Sequence, residues 1–295
     1  MKKLAFIFIL FGLTFFSFAK DQSKTQAKNH GVKKHTVYIW SGIKSMRGER
    51  VLMEVNIPEN PNGTAVIICP GGSYHHLGIF NEGRTSAKWF NSNGVTTCLL
   101  WYRVAKNNYH YPAQMQDIQR AIQLVREDPY FYKANKVGVI GFSAGGHLAA
   151  WSGMFGGRTN ELEKIGIKTS AKLTPDFVIP VYPVVSMQDD IGHKWSRKSL
   201  IGKNPSQQKK DLFSLELQVP KDMPPTYLVA CKDDPVVLFE NSVRLSKALE
   251  EAGADFVFKQ YPEGGHGFGM VNNKFLKKYH WNEELKEWLT SKGFM

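Results

Sequence analysis

A strand-to-helix junction centred on Ser143 constrains the fold of this chain more than any other segment. The junction reads Gly141-Phe142-Ser143-Ala144-Gly145, with an apolar, β-branched stretch before it and small residues after it. A serine on so tight a turn carries its hydroxyl above the edge of the sheet, and the turn tolerates only small neighbours. The pattern therefore predicts that Ser143 is a nucleophile. The alternative is an ordinary tight turn between a strand and a helix.

Strand patterns alternate with helix patterns along most of the chain, which is typical of a mostly parallel sheet with helices on both faces. We predict an α/β fold whose central sheet has about eight strands. Residues 35–40 and 51–57 alternate apolar and polar side chains, as an antiparallel hairpin at a sheet edge does. The Lys- and Ser-rich stretch 186–225 predicts a short cap over the site. Further strands are expected at 64–69, 95–104, 177–185, 226–231 and 256–261, and helices at 82–91, 112–127, 240–252 and 279–289.

The N-terminus has the features of a targeting segment. Two lysines precede an almost continuously apolar stretch, which ends at the small-x-small sequence 17–19. We predict a signal peptide over residues 1–19, a flexible N-terminal segment over 20–34 and a single catalytic domain over 35–295. The protein would then be exported, either periplasmic or secreted, without stable membrane insertion. An uncleaved N-terminal anchor is the alternative.

The formal net charge of +12 comes from basic residues that are dispersed along the chain. A solvated basic surface is the plain interpretation, and weak attraction to an acidic glycan is the sharper one. The chain carries no nucleic-acid recognition motif, so we do not expect nucleic acid as a partner.

Three cysteines, Cys69, Cys98 and Cys231, lie within or at the end of apolar strand patterns. An odd number of cysteines argues against a disulfide framework, and the pattern favours buried thiols. A single bridge between Cys69 and Cys98 stays open as an alternative. No spacing in the sequence resembles a metal site, and we expect no cofactor.

A serine nucleophile needs a base to take its proton, and the base needs an acid that orients it. The acid is expected after a strand, and Asp233 and Asp234 both follow the strand pattern at 226–231. We favour Asp234, which directly precedes a proline-led turn; Asp233 is the alternative. His266 is the predicted base, because four glycines surround it in a loop after the last strand. The alternative for His266 is a surface histidine in a flexible loop.

The oxyanion of an acyl-transfer intermediate needs two N–H donors. Ala144 lies at the predicted start of a helix and can supply one of them. Gly71 and Gly72 end the strand pattern at 64–69, and their backbone can approach a substrate closely. A simple strand-ending turn is the alternative for these two glycines. Arg103 and Asp117 are expected to form a structural ion pair beneath the site.

Taken together, these segments resemble the α/β-hydrolases of the esterase and lipase branch. They are most similar to small exported carbohydrate esterases of the acetyl-xylan and feruloyl type. The resemblance spans residues 64–268 and implies Ser143, Asp234 and His266 as a catalytic triad. Pro70 replaces the histidine and Ser73 replaces the third glycine that usually form the glycine loop in this branch. The segments that carry the resemblance are Pro70-Gly71-Gly72-Ser73-Tyr74, Tyr102-Arg103, Tyr111-Pro112, Asp117, residues 141–145, Asp234-Pro235-Val236-Val237 and Gly265-His266-Gly267-Phe268.

We predict a serine hydrolase that cleaves carboxylic esters, with acetyl or feruloyl groups on a plant-type polysaccharide such as xylan as its substrate. Tyr74 and Tyr102, with Trp195 of the cap, are candidate substrate contacts because aromatic faces suit sugar rings; core packing is their alternative. A serine peptidase of the prolyl-oligopeptidase type is a second hypothesis, although the chain is too short for that group's β-propeller. A general short-chain carboxylesterase and a non-catalytic glycan-binding protein are the others.

Overall fold

The computed structural model describes residues 31–295, which form one compact unit. The predicted signal peptide and most of the predicted flexible segment lie outside these residues. The last two residues of that segment, Lys33 and Lys34, belong to the first strand rather than to a flexible region. No helix in the described part of the chain is long and apolar enough to cross a membrane.

Eight strands of the described residues form one sheet in the order β1-β2-β4-β3-β5-β6-β7-β8. The first two strands pair antiparallel and β2 pairs antiparallel with β4, while the strands from β4 to β8 are parallel. The edge hairpin and the mostly parallel sheet confirm the predicted fold class. The strands are β1 Lys33–Tyr38, β2 Leu52–Ile57, β3 Gly63–Cys69, β4 Thr96–Leu100, β5 Ala134–Phe142, β6 Phe177–Val181, β7 Thr226–Cys231 and β8 Phe256–Tyr261.

Helices cover both faces of the sheet because side chains along each central strand point alternately to the two sides. The helices are α1 Thr85–Ser92, α2 Ala113–Glu127, α3 Pro129–Tyr132, α4 Ala144–Phe155, α5 Lys194–Ile201, α6 Gln207–Phe213, α7 Glu240–Glu251, α8 Lys274–Tyr279 and α9 Trp281–Ser291. Ile67 of β3 belongs to the core layer on the side of α2, α4 and α7, and its neighbour Ile68 belongs to the opposite layer, with Phe90 and Trp281.

Several boundaries differ from the sequence prediction. The expected helix at 82–91 is divided into a π-helical turn, Ile79–Arg84, and α1. The expected strand at 95–104 ends as β4 at Leu100, because the chain beyond it turns to bring Arg103 to α2. The predicted cap at 186–225 contains the two short helices α5 and α6.

The Arg103–Asp117 pair is present and fully enclosed. Asp117 accepts hydrogen bonds from the backbone N–H and the guanidinium of Arg103, and from the indole N–H of Trp40. Burial raises the pKa of the Asp117 carboxyl, while the Arg103 charge and these hydrogen bonds oppose that effect. The pair therefore anchors the chain after β4 to α2, beneath the carboxyl end of the sheet. All three cysteines are free and buried, so the bridge between Cys69 and Cys98 is not formed.

The junction between β5 and α4 depends on glycines where two backbones approach each other. A Cβ on Gly145, in the first turn of α4, would clash with the carbonyl oxygens of Cys69 and Pro70 at the end of β3. A Cβ on Gly141 would likewise clash with the backbone of Gly145. Small residues at these positions therefore let the helix begin directly against the neighbouring strand.

We expect Gly145→Ala to lower the free energy of unfolding by about 3 kcal/mol or more, because the clash is with backbone that cannot move independently. Urea denaturation measures the change. Gly157→Ala is the matched control, since its Cβ would meet nothing closer than the Thr174 hydroxyl at 3.4 Å. Equal stabilities for the two variants would contradict this account of the junction.

Candidate active site

Ser143 lies on the strained turn that the sequence predicts. Its backbone has φ 53° and ψ −118°, a conformation that non-glycine residues rarely adopt. The turn is held from both sides, because the Ser143 N–H donates to the Val181 carbonyl at 3.0 Å and its own carbonyl accepts from Val184 at 3.1 Å. The surrounding strands and the helix start thus fix the direction of the hydroxyl.

The structure brings Ser143, His266 and Asp234 together from three separate loops. The Nε2 atom of His266 lies 2.9 Å from the Ser143 hydroxyl, and its Nδ1 lies 2.7 Å from the Asp234 carboxylate. Asp234 also accepts the backbone N–H groups of Val236 and Val237 at 2.8 and 2.9 Å. The proline-led turn after β7 therefore aims this carboxylate inward, as the sequence predicts.

The hydrogen bonds define the tautomer of His266. An ionised carboxylate only accepts, so Nδ1 carries the proton that is donated to Asp234, and Nε2 is left to accept the hydroxyl proton of Ser143. This arrangement can take a proton from Ser143 and stabilise the imidazolium that results. The sites of Asp234 and His266 are well shielded, with side chains that are 2% and 16% exposed.

Asp233, the alternative acid, is exposed and binds backbone N–H groups. Its two carboxylate oxygens accept the backbone N–H groups of Gly264 and Gly265 at 3.2 and 2.8 Å. Asp233 thus holds the base of the histidine loop, residues 264–269, without contacting His266.

The glycine loop, residues 70–73, lies against the serine. A Cβ on Gly71 would be 2.9 Å from the Ser143 Cβ, so only glycine allows this approach. The N–H of Gly71, however, donates to the Glu82 carboxylate at 2.6 Å. The expectation that Gly71 donates to an oxyanion is therefore wrong for this arrangement, because a buried carboxylate already occupies its N–H. Gly72, whose φ is +124°, and Ala144, in the first turn of α4, remain the candidate donors.

Tyr74 and Tyr102 do not line the site. Both side chains are buried, with 0% and 1% exposed, and the structure corrects their prediction as substrate contacts. The Tyr102 hydroxyl donates to the Pro70 carbonyl at 2.6 Å, and the Tyr74 hydroxyl lies 2.9 Å from Nδ1 of His147. Both tyrosines therefore brace the glycine loop from below.

His147, in the first turns of α4, is fully buried. Its Nε2 lies 2.9 Å from the Phe213 carbonyl oxygen, which can only accept, so Nε2 carries the ring proton. Nδ1 therefore accepts a hydrogen bond from the Tyr74 hydroxyl. Burial lowers the pKa of His147 to about 4. This neutral imidazole links α4 to the cap.

Sequence reasoning missed two buried residues beside the site, Glu82 and Tyr182. The Tyr182 hydroxyl donates to Glu82 at 2.9 Å, and the Tyr182 ring packs against the His266 ring at 4.7 Å between centroids. Glu82 stands in an otherwise ordinary helix pattern, and Tyr182 follows an apolar strand. No local signal therefore distinguishes them.

The cap places an aromatic group, Trp195, beside the residues that follow the glycine loop. His193 lies at the start of α5, and burial is the main cause that lowers its pKa. The nearby charge of His266 lowers this pKa further, whereas the charge of Asp234 opposes the shift. Two residues further on, the ring of Trp195 lies 5.3 Å from His75 and 5.9 Å from His76. Trp195 is 48% exposed, whereas tryptophan side chains are highly buried on average.

Within residues 31–295, no group of three or more His, Cys, Asp or Glu side chains is arranged to hold a metal ion. The hydrogen-bonded group around Ser143 is instead suited to proton transfer at a hydroxyl.

The sheet order and the serine turn define an α/β-hydrolase. The BD-FAE family model matches residues 53–249, more than half of the chain, and the chain belongs to the BD-FAE family. Over 243 residues it is 31% identical to an acetylxylan esterase of Xylanibacter ruminicola, covering 80% of this chain and 47% of that protein. Endo-1,4-beta-xylanase B of Butyrivibrio fibrisolvens is 28% identical over 226 residues, covering 75% and 35%. The chain thus spans about half the length of these relatives or less.

Solved structures show the same α/β-hydrolase fold. An acetyl ester-xyloside bifunctional hydrolase from Caldicellulosiruptor lactoaceticus matches with a TM-score of 0.79 and 29% identity, covering 88% of this chain and 97% of that one. The Est2 esterase of Thermogutta terrifontis, with a TM-score of 0.74 and 20% identity over 89% of this chain and 95% of its own, shares the fold.

We expect Asp234→Asn to lower kcat about 10⁴-fold, because an amide at this position would favour the wrong tautomer of His266. Asp233→Asn should lower kcat by no more than about tenfold, since it loosens the loop but leaves the proton path intact. Hydrolysis of 4-nitrophenyl acetate by both variants tests the difference. An equal loss, or a larger loss for Asp233→Asn, would contradict the assignment of the acid.

Proposed function

We propose that the chain is a serine esterase that removes acetyl groups from a plant-type polysaccharide such as xylan. The observation that carries the proposal is the continuous hydrogen-bonded path from Asp234 through His266 to the Ser143 hydroxyl, at 2.7 and 2.9 Å. Its order along the chain, serine then acid then histidine, is that of α/β-hydrolases.

In the proposed reaction, His266 takes the proton of Ser143 as the hydroxyl oxygen attacks the ester carbonyl. The N–H groups of Gly72 and Ala144 stabilise the oxyanion that forms. The alcohol of the sugar leaves with the proton held by His266, and an acetyl group stays on Ser143. Water, activated by His266, then releases acetate and restores the serine. The steps need no metal or organic cofactor.

The choice of an acetylated glycan rests on the relatives and on the mouth of the site. An acetylxylan esterase and an acetyl ester-xyloside hydrolase stand among the similar proteins. Trp195 presents a half-exposed indole beside His75 and His76, next to the glycine loop. The faces of pyranose rings are apolar, and such a surface can hold one by dispersion. The signal-peptide pattern of residues 1–19 supports export, where such polymers occur.

Ser143→Ala should fold normally and lose essentially all ester hydrolysis, because it removes the hydroxyl from which His266 would take the proton. Acetate release from acetylated xylan measures the activity, and a proline-containing peptide amide is assayed in parallel. Acetate release by the parent protein alone would support the proposal. Cleavage of the peptide without acetate release would favour the peptidase hypothesis, and activity of Ser143→Ala above a trace would refute the nucleophile.

Trp195→Ala separates a glycan esterase from a general short-chain carboxylesterase. We expect kcat/KM on acetylated xylo-oligosaccharides to fall about 5- to 10-fold, since a ring contact of about 1 kcal/mol is lost. Hydrolysis of 4-nitrophenyl acetate, which has no sugar, should stay within about twofold. Tyr130→Ala, which removes an aromatic ring that is 82% exposed on α3, is the matched control. An equal effect on both substrates would count against a sugar contact at Trp195.

A further inference from the structure

The Glu82 carboxylate connects the two loops that converge on Ser143. One of its oxygens accepts the N–H of Gly71 at 2.6 Å, and the other accepts the hydroxyl of Tyr182 at 2.9 Å. The Tyr182 oxygen in turn accepts the N–H of Gly269 at 3.2 Å. These bonds form one continuous chain from the histidine loop to the glycine loop.

Tyr182 is held in an unusual conformation to make these contacts. Its φ is +36°, which a bulky residue seldom adopts, and its N–H donates to the Val229 carbonyl at 2.6 Å. In this position the ring packs against His266 while the hydroxyl reaches Glu82. Backbone strain of this kind persists where the surroundings impose it, and it is concentrated at functional sites.

Burial of the Glu82 carboxylate by itself costs free energy of folding. Glu82 is 8% exposed, and desolvation raises the pKa of its carboxyl above the usual range. The hydrogen bonds from Gly71 and Tyr182, and the charge of His266, oppose that rise. Burying a charge seldom stabilises a fold more than a well-packed neutral group of the same shape. We therefore expect the Glu82 carboxyl to have a role other than packing.

We propose that Glu82 is a positioning residue, whose carboxylate holds the glycine loop and the histidine loop in the geometry that acyl transfer requires. By binding the Gly71 N–H, it fixes the Pro70–Gly71 peptide, which directly precedes the peptide that carries the N–H of Gly72, the candidate oxyanion donor. Through Tyr182, whose ring packs against the imidazole, it restricts the orientation in which Nε2 of His266 meets the Ser143 hydroxyl. The inference rests on the proposed function, because it assigns Glu82 to the same reaction.

Loss of this support should weaken the binding of the transition state more than the binding of the substrate. We expect Glu82→Gln to lower kcat on 4-nitrophenyl acetate about 10- to 100-fold, with KM changed by less than about threefold. The inhibition constant of methylboronic acid, which forms a tetrahedral adduct on the serine, should rise in parallel with the loss of kcat/KM. A purely structural role would lower the melting temperature without this separation.

Tyr182→Phe removes the hydroxyl but keeps the ring, and it should cause a smaller loss of kcat. Because both substitutions break the same chain of hydrogen bonds, the double variant should be no worse than Glu82→Gln alone, instead of showing the product of the two effects. If Glu82→Gln does not fold, Tyr182→Phe carries the test by itself. Wild-type kcat and inhibition in Tyr182→Phe would then overturn the inference.

Glu161→Gln is the matched control, since Glu161 is a carboxylate that is 2% exposed and accepts from Tyr111 and Lys164, away from both loops. Its kinetics should be unchanged. If the parent protein hydrolyses esters and the Glu82→Gln variant keeps the wild-type kcat, this inference alone is overturned. A parent protein with no ester hydrolysis would overturn the proposed function and this inference with it.

Discussion

The close approach of α4 to the end of β3 is the constraint on which the site depends. The helix begins so near the strand that Gly145 must lack a side chain where it meets the carbonyls of Cys69 and Pro70. This contact brings the Ser143 turn and the glycine loop together without any side chain between them. Ser143 and the candidate oxyanion donors can therefore share one small space above the carboxyl ends of the strands.

Three carboxylates, two of them buried, then determine how the loops around that space are oriented. Asp233 holds the base of the histidine loop by two N–H groups, and Asp234 holds His266 itself. Glu82 holds the glycine loop through the N–H of Gly71 and also accepts the hydroxyl of Tyr182. Each carboxylate is satisfied mainly by backbone N–H or hydroxyl donors rather than by an opposite charge. Such bonds are directional and fix geometry more strictly than a surface ion pair does.

The sequence predicts the elements that carry a local pattern. The alternation of strands and helices indicates the parallel sheet, and the glycines around Ser143 and His266 indicate the loops that meet above it. Glu82 has no such signal, because its partner Tyr182 is 100 positions away and both lie in ordinary patterns. The same lack of long-range information explains the error over Tyr74 and Tyr102. An aromatic residue beside a catalytic loop can face the substrate or the core, and only packing decides between them.

The neutral state of His147 has a consequence for the behaviour of the protein in acid. Its pKa is about 4 in the folded protein, against 6.5 for an unperturbed histidine, so the unfolded chain binds an additional proton between these values. Folding is therefore progressively disfavoured as the pH falls from 6.5 towards 4. Once Nδ1 is protonated it can no longer accept the Tyr74 hydroxyl, so the hydrogen bond between Tyr74 and His147 would have to reverse its direction. The same histidine that links α4 to the cap at neutral pH thus makes the folded protein less stable in acid.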